Sequence, residues 1–399
     1  MRGQGLGQAE LIVEGIDMLH YLTAGESHGK ALTAIIDGMV AGLPLDEDYI
    51  ARDLARRQGG YGRGGRMKIE KDRAEILSGV RYGLSMGSPI SLLIRNRDWE
   101  NWAETMSVAS ASKKSDPVTR LRPGHADLAG TKKYGLDDVR PILERASARE
   151  TAARVAVGAV ARRFLEEFGI EIKSHTTAIG DACVCDINVN KIDWGKVEKS
   201  PVRCAIAKAE KAMIAAVDAA KDNGDSVGGV FQVIAAGLPI GLGSHVQWDR
   251  RLDGRIAQAV MSIQAVKSVE VGSCSYVTGL RGSLTHDVIQ YDKAKGKWSH
   301  ATNRAGGIEG GISNGEAIII EALVKPIPTL AKPLPSVDLK TGKSVDAHIE
   351  RSDVCVVPAA GVIGEAMLAV VLADAMLEKF GGDHLKETIR NYKSYLKTI

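Results

Sequence analysis

Two stretches of the chain carry the same pattern. Gly25–Gly29 and an apolar run lead into Ala41–Leu45, and Gly224–Gly228 and an apolar run lead into Ala236–Ile240. The offset between the copies is 199 residues at their start and 195 at their end. Each copy leads into an arginine-bearing helical stretch. A repeat of this kind predicts two related halves within one fold.

The composition is that of a globular protein. Of 399 residues, 44% are apolar and 25% are charged, which excludes a disordered chain. At about 150 residues per domain, the length fits two or three domains or one large domain. A formal net charge of +3 argues against a protein that coats nucleic acid. Because 44 residues are glycine and only 5% are aromatic, we expect an aliphatic core and many close backbone approaches.

The sequence also bears on location. No apolar run reaches the roughly 18 residues that span a bilayer, and residues 1–17 do not resemble a signal peptide. Five cysteines are few and odd in number, so we expect a reducing cytoplasm and no disulfide framework. We expect no metal site, because no second pair of ligands has metal spacing. Residues 1–17 are poorly patterned, and Met18 opens the first strand-like run. Either residues 1–17 form a loose N-terminal extension, or the true start is Met18.

Periodicity and end signals predict the main regular elements. Helices are predicted at 46–58, 137–168, 249–268 and 359–379, and strands at Leu19–Thr23, Ile90–Ile94, Val230–Ala235 and Ala317–Val324. The first helix has acidic residues at its start and Arg56 and Arg57 at its end, which suits the helix dipole.

Two glycine-containing stretches resemble nucleotide-binding loops but lack their context. Gly25–Lys30 is followed by Ala31, whereas a phosphate-binding loop has serine or threonine there as a ligand for Mg²⁺. Gly60–Gly65 matches GxGxxG, but it follows a predicted helix rather than a strand. We therefore reject both nucleotide-binding interpretations.

The segment Arg56–Arg66 contains five glycines and four arginines in eleven residues. It could be an exposed flexible loop or an RNA contact, although a single short copy with one aromatic residue is weak support for RNA binding. It could also be a site for an anion, since arginine makes bidentate hydrogen bonds to phosphate and carboxylate groups. Glycine lets backbone N–H groups approach such a ligand.

Titratable residues in turns suggest acid–base chemistry. His28 has Val227 as its counterpart in the second copy, so only one half carries the reactive side chain. His125 lies in the turn Arg122–Asp127, and histidine titrates near neutral pH. Arg351–Asp353 could be a surface ion pair, a helix cap or a source of the carboxylate base. Together these features predict an enzyme that eliminates or transfers phosphate from a small polyanionic substrate without a metal.

The chain resembles the chorismate synthase family from about Met18 to about Gly382. The resemblance rests on seven motifs in one order: Gly25–Gly29, Arg57–Met67, Arg122–Asp127, Arg145–Thr151, Asn303–Gly311, Lys325–Thr329 and Arg351–Asp353. It implies an α+β fold in which helices lie between two sheets, with 18–399 as one domain and 1–17 as an extension. It also implies a homo-oligomer, usually a tetramer.

The resemblance further implies an activity. The family converts 5-enolpyruvylshikimate 3-phosphate into chorismate and phosphate by a 1,4-elimination. The reaction requires reduced FMN (FMNH2) but involves no net redox change. Because no added reductase domain is evident, we expect an external flavin reductase to supply the reduced flavin, with NADPH acting only indirectly. A flavin or NADPH reductase and an RNA-binding module are the alternatives, and no nucleic-acid or membrane partner is expected.

The family motifs also imply roles for individual residues. His28 would protonate the leaving phosphate, His125 would protonate or stabilise the reduced flavin, and Asp353 would help N5 of the flavin to take the proton from C6 of the substrate. Binding of the substrate, or of NADP, is implied for Arg57, Arg63, Arg66 and Arg149. Flavin contacts are implied for Arg145, Ala146, Ser147, Gln264, Ala265, Gly311, Lys325, Pro326, Ile327, Pro328, Thr329 and Arg351. Two of these depart from the family pattern, because Ala146 is often serine and Gln264 is often asparagine.

Overall fold

The computed structural model describes residues 18–64, 71–110, 115–184, 187–273, 277–294, 296–350 and 352–399. Its strands are β1 His20–Ala24, β2 Ala31–Asp37, β3 Ala74–Ser78, β4 Val80–Arg81, β5 Leu84–Ser85, β6 Ile90–Arg95, β7 Glu171–Ile179, β8 Ala182–Cys183, β9 Gly229–Ala236, β10 Val266–Val271, β11 Ile289–Asp292, β12 Lys297–His300, β13 Ile308–Glu309, β14 Ile312–Ser313, β15 Ile318–Val324, β16 Pro335–Val337 and β17 Ser344–Asp346. Its α-helices are α1 Glu47–Gln58, α2 Asp127–Tyr134, α3 Arg140–Ala146, α4 Thr151–Glu166, α5 Trp194–Lys199, α6 Ala207–Asp222, α7 Leu252–Met261, α8 Gly282–Thr285, α9 Val357–Phe380 and α10 Leu385–Leu396.

Two antiparallel sheets enclose the long helices. The first sheet has the order β1-β2-β6-β3 and the second has the order β10-β15-β9-β7-β8. Helix α4 packs on the first sheet, α9 packs on the second, and the two helices pack on each other. The apolar faces of both sheets are therefore buried against helices. This arrangement confirms the predicted α+β fold with helices between two sheets.

The two sheets are built by the same topology. The series β1, β2, α1, β3, β6, α4 matches the series β7, β9, α7, β10, β15, α9 in element type and in strand order within the sheet. Gly38 follows β2 and Gly237 follows β9, and both have positive φ, +88° and +84°. A Cβ at either glycine would meet the carbonyl oxygen of the residue two positions before the first strand of its half, Met18 or Gly169. The two halves predicted from the sequence repeat therefore have the same topology.

The structure also corrects the alignment of the two copies. Gly38 and Gly237 are 199 residues apart, which is the offset already found at the start of the repeat. Matching Ala41–Leu45 with Ala236–Ile240 was therefore wrong, because the first segment lies beyond the end of its strand and the second overlaps the end of its strand.

Two predicted helices are shorter than the sequence suggested. The stretch 137–168 is broken at Ser147, which has an extended backbone and accepts a hydrogen bond from the N–H of Arg149. In the stretch 249–268 the helix ends at Met261, because residues 266–271 form a strand that pairs with β15. The helices predicted at 46–58 and 359–379 and the four predicted strands are confirmed within a few residues.

Helix α9 forms the centre of the core. Among the described residues, it alone is long and apolar enough to cross a bilayer, and its most apolar window is entirely buried within the protein. Its first turn carries Pro358, where a missing N–H costs no helical hydrogen bond. The surrounding core is aliphatic, as the scarcity of aromatic residues predicted.

A buried ion cluster joins α1, α4 and α9. The fully buried carboxylate of Glu365 accepts hydrogen bonds from Arg56 and Arg162 at 2.7 Å, from Ser174 at 2.6 Å and from Arg203 at 3.3 Å. Burial disfavours ionisation of Glu365, but the Arg56 and Arg162 cations outweigh burial and lower its pKa to about 2. The cluster therefore holds three helices together through a charge that stays ionised.

Candidate active site

One cavity of about 610 Å³ is lined by loops from both halves of the fold. Its wall includes the turn after β1, the segment after α1, the turn before α2, the break between α3 and α4, the turn before β10 and the segments that follow β15 and precede α9. His28, His125 and Asp353 all line it. Residues that are about 100 and 230 positions apart in sequence thus face the same space.

His28 is held by a carboxylate and an indole ring. Its Nδ1 lies 2.9 Å and 3.1 Å from the two carboxylate oxygens of Glu144, and its backbone N–H donates to the same carboxylate at 2.7 Å. Its ring stacks on Trp102 with the ring centroids 3.9 Å apart. These contacts fix both the ring plane and the edge that carries Nδ1.

His125 is held by an arginine–aspartate pair. Arg122 donates from Nε and Nη2 to the two carboxylate oxygens of Asp127, at 2.9 Å and 3.0 Å. Nδ1 of His125 contacts the same carboxylate. Burial disfavours ionisation of Asp127, but the hydrogen bonds from His125 and Arg122 outweigh burial and hold its pKa well below its usual range. A stable carboxylate therefore orients the imidazole of His125.

The turn Lys325–Thr329 packs against the turn that carries His125. The Lys325 amine donates to the Gly124 carbonyl at 2.7 Å, and Arg122 Nη1 donates to Thr329 Oγ1 at 3.1 Å. The prolines at 326 and 328 restrict the backbone of this turn. One rigid wall of the cavity is thus formed by two turns from different halves of the chain.

Arg57 and Arg149 share one buried carboxylate. Arg57 Nη1 lies 3.4 Å from Asp72, and Arg149 Nη1 donates to Asp72 at 2.5 Å. Burial lowers the pKa of Arg57 below its ordinary value; Asp72 opposes this shift, and the neighbouring Arg63 and Arg149 cations add to it. The lowered pKa of Arg57 therefore reflects mainly its burial in a wall that holds other cations nearby.

Arg63 and Gly64 contact the third candidate residue. Arg63 Nη1 lies 3.3 Å from Asp353 Oδ2, and the N–H of Gly64 donates to Asp353 Oδ1 at 2.6 Å. A Cβ at Gly64 would lie 2.9 Å from the carbonyl oxygen of Ser352, so a side chain there would separate the two segments. In its described part, the glycine–arginine segment is therefore a packed wall rather than an exposed flexible loop.

The remaining wall contains a buried acceptor with no partner. Gln264 donates from Nε2 to Glu150 at 3.2 Å, while its Oε1 is buried and has no hydrogen-bond partner. Nearby, Ser147 Oγ donates to Ser27 Oγ at 3.1 Å. A buried acceptor in a cavity wall is free to receive a ligand donor.

Comparison with known proteins identifies the family of this chain. A family model described as chorismate synthase matches residues 19–377. The chain belongs to the chorismate synthase family. The chorismate synthase of Moorella thermoacetica is 56% identical over 388 residues, covering 96% of this chain and 100% of the relative. That of Aquifex aeolicus is 54% identical over 391 residues, covering 96% and 98%.

A solved structure agrees with the sequence comparison. A crystal structure of chorismate synthase is similar to this chain with a TM-score of 0.78 and 46% identity, and the match covers 95% of this chain and 98% of that chain. The resemblance to the chorismate synthase family is therefore confirmed, and the chain has the lyase function of that family.

Most of the described residues singled out from the chorismate synthase motifs lie in the cavity wall. They are His28, Arg57, Arg63, His125, Ala146, Ser147, Arg149, Gln264, Ala265, Lys325, Ile327, Pro328, Thr329 and Asp353. Arg66 and Arg351 lie outside the described residues. Arg145, Gly311 and Pro326 are described but do not line the cavity.

The contacts of Arg145 and Gly311 indicate what they support. Arg145 donates to the carbonyl oxygens of Gly25 and Thr23 at 2.9 Å, and thereby holds the turn that carries His28. The carbonyl of Gly311 accepts a hydrogen bond from the N–H of Leu252 at 2.9 Å, which holds a hairpin at the start of α7. Flavin contact by these two residues stays a prediction.

Sequence reasoning assigned no role to several residues that shape the site. Arg122 and Asp127 were part of a motif, and the structure now shows that Asp127 contacts Nδ1 of His125 while Arg122 donates to Asp127. Glu144 immediately precedes a motif, but only the fold brings it to His28. Asp72 and Trp102 lie outside the motifs, and only the fold brings them to the arginines and to His28.

Proposed function

We propose that the cavity binds 5-enolpyruvylshikimate 3-phosphate beside reduced FMN, and that it eliminates phosphate in a 1,4 sense to give chorismate. The observation that carries this proposal is the convergence of His28, His125 and Asp353 on one cavity with arginines in its wall. A 1,4-elimination breaks a C–O bond and a C–H bond, so it requires a group for the leaving phosphate and a group for the departing proton.

The arginine wall suits the charge of this substrate. Arg57, Arg63 and Arg149 face two carboxylates, Asp72 and Asp353, so these five groups carry one excess positive charge. The substrate has one phosphate and two carboxylates, and guanidinium groups bind both kinds of anion in a bidentate manner. The excess positive charge of the wall favours binding of this anion.

The cavity also fits a flavin. The unpartnered Oε1 of Gln264 can accept a ring N–H, and the amine of Lys325 and the turn that follows it offer polar contacts. A reduced flavin held there would supply electron density for the elimination without net redox change. Ala265, with φ of +68°, would hold its backbone at the same wall.

Three residues of the chain would each take part in a different proton transfer. His28 would deliver a proton to the departing phosphate oxygen, because a protonated phosphate is the better leaving group. Asp353 would assist removal of the proton from C6 of the substrate. His125, held by Asp127, would keep a proton available on the flavin side of the cavity.

The setting of the enzyme is part of the proposal. We expect a cytoplasmic enzyme that receives reduced flavin from a separate reductase, so that NADPH acts only indirectly. We also expect a homotetramer. The outer face of the first sheet exposes Leu22 by 76% and Ile35 by 49%, and these residues are paired in register across β1 and β2. An apolar patch of this kind suits a subunit contact.

Replacing Arg63 with alanine is expected to weaken substrate binding about tenfold to a hundredfold, the usual value of a charged hydrogen bond. Flavin binding should change much less, because the proposed flavin contacts are made by Gln264 and by Lys325 with its following turn, whereas Arg63 pairs with Asp353. Equilibrium titration with each ligand separately measures both effects. Arg95→Ala, which removes an exposed ion pair outside the cavity, is the control. Equal weakening of both ligands would contradict a substrate-specific role.

Replacing Asp353 with asparagine is expected to reduce turnover by about a hundredfold or more, since the amide is a far weaker base. The amide oxygen can still accept the hydrogen bond from Gly64, so the segment should keep its position. Stopped-flow turnover and ligand titration together test this expectation. Asp193→Asn, an exposed helix cap, serves as the control. Wild-type turnover would remove Asp353 from the mechanism.

An anaerobic assay with reduced FMN tests the proposed function as a whole. The protein is mixed with 5-enolpyruvylshikimate 3-phosphate and chemically reduced FMN, while chorismate absorbance and phosphate release are followed. Stoichiometric formation of both products, lost when the FMN is oxidised, supports the proposal. Folded, flavin-bound protein that forms neither product would overturn it. NADPH consumption without the phosphate ester would instead indicate a flavin reductase.

A further inference from the structure

Glu144 contacts the ring edge of His28 that carries Nδ1. It lies in α3, is almost fully buried, and has both carboxylate oxygens within 3.1 Å of Nδ1 of His28. One of these oxygens also accepts the backbone N–H of His28 at 2.7 Å. A carboxylate with no proton can only accept, so the hydrogen between the two side chains belongs to Nδ1.

We infer that Glu144 is a positioning residue that fixes the tautomer of His28 and aims the ring for proton donation from Nε2. The inference rests on the proposed function, in which His28 protonates the leaving phosphate. When the C–O bond breaks, the electron pair goes to the phosphate oxygen and the Nε2 proton follows. The imidazole is then neutral, and its remaining hydrogen is on Nδ1 facing Glu144. Solvent returns the proton to Nε2 after the product leaves.

The surroundings of Glu144 support a dedicated contact. Arg140 places Nη1 3.4 Å from Glu144 and 3.0 Å from Glu350, so the buried carboxylate has a counter-charge besides His28. The guanidinium of Arg140 also lies 5.3 Å from the ring centre of Trp102, which stacks on His28. Glu144 and Trp102 therefore restrain different motions of the ring. The carboxylate restrains rotation about the ring normal, and the indole restrains tilt.

The test uses Glu144→Gln, which keeps the size of the side chain. Its amide keeps one acceptor oxygen but lacks the negative charge, and it presents an NH₂ donor in place of the second oxygen, so a donor replaces one of the two carboxylate contacts to Nδ1 of His28. We expect turnover to fall about 10²–10⁴-fold, as when a histidine loses its orienting carboxylate. KM should change less than threefold, because Glu144 acts through His28 and is not expected to contact the substrate. Glu144→Asp keeps the charge, and its turnover should be at least tenfold higher than that of Glu144→Gln.

A second readout does not depend on activity. The full chain is prepared with ¹⁵N-labelled histidine, and the ring nitrogen signals are recorded at a pH at which they show the neutral imidazole. The His28 signal is assigned by its loss in His28→Ala. The unsubstituted chain should show hydrogen on Nδ1 of His28, and Glu144→Gln should show a mixture of tautomers. The signal of His125, which faces Asp127, should stay unchanged and serves as an internal control.

The outcomes separate the inference from the proposed function. A fall in turnover with an unchanged His28 tautomer would overturn the inference and indicate that Glu144 has only a structural role. A changed tautomer with unchanged turnover would overturn it as well, since the orientation would then not matter. Full turnover by His28→Ala would overturn the catalytic assignment of His28 itself, whatever Glu144→Gln does.

Discussion

Replacement of His28 with alanine is expected to reduce turnover by about 10²–10⁴-fold, the usual contribution of a positioned general acid. Flavin binding should be retained, because His28 is held by Glu144 and Trp102, whereas the proposed flavin contacts are made by Gln264 and by Lys325 with the turn that follows it. Anaerobic single-turnover measurements give the rate of chorismate formation, and titration of reduced FMN gives its affinity. The two quantities should therefore respond very differently to one substitution.

The control and the contradicting result follow from the position of His28. His20 is exposed in β1 of the same sheet, so His20→Ala should leave turnover unchanged. Loss of flavin binding in His28→Ala would place His28 in the flavin site and contradict the proposed division of roles. Because Trp102 loses its stacking partner, the fold of His28→Ala should first be verified by thermal unfolding.

Replacement of Glu365 with glutamine is expected to lower the free energy of unfolding by about 3–5 kcal/mol, the usual cost of removing one partner from a buried ion pair. The substitution leaves Arg56, Arg162 and Arg203 without the carboxylate that they share. Urea unfolding followed by circular dichroism measures the change. Glu75→Gln removes an exposed partner of Arg95 and should alter stability little. A similarly small effect of Glu365→Gln would contradict a stabilising role of the cluster.

The same carboxylate predicts a dependence of stability on pH. The folded-state pKa of Glu365 is lowered to about 2, below its ordinary value of 4.5. A depressed folded-state pKa contributes stability that is fully present above the unfolded value and is lost as the pH falls through the folded value. The free energy of unfolding should therefore decrease between about pH 4.5 and pH 2. Glu365→Gln should show a shallower decrease over this interval.

Local sequence patterns predicted those elements whose signals lie within the elements themselves. Helix α1 begins at an aspartate cap and ends after two arginines, and both features were evident in the sequence. Helix α9 was evident from a long run of small apolar residues. The prediction was wrong at Ser147 and after Met261. At Ser147 a serine hydrogen bond interrupts a helix-favouring run, and after Met261 the pairing of β10 with a distant strand outweighs helix propensity.

In the site, too, some features could be predicted from local sequence and others depend on distant contacts. Histidine, arginine and glycine in short motifs identified the chemistry, since those side chains carry their charge and hydrogen-bonding capacity wherever they lie. Asp72 and Trp102 were missed, because they lie outside the motifs and only the fold brings Asp72 to Arg57 and Arg149 and Trp102 to His28. Glu144 was missed because nothing in its own neighbourhood indicates that it faces His28.

The sequence by itself determined the family, the order of the motifs and the kinds of side chain that the reaction requires. It also indicated a repeat, because a duplicated pattern stays readable wherever its two copies lie in space. Only the tertiary structure decided that His28 and His125 face one cavity, which arginines line it, and which carboxylates orient the histidines. The physical reason is that side-chain chemistry is local, whereas convergence depends on strand pairing and helix packing between distant parts of the chain.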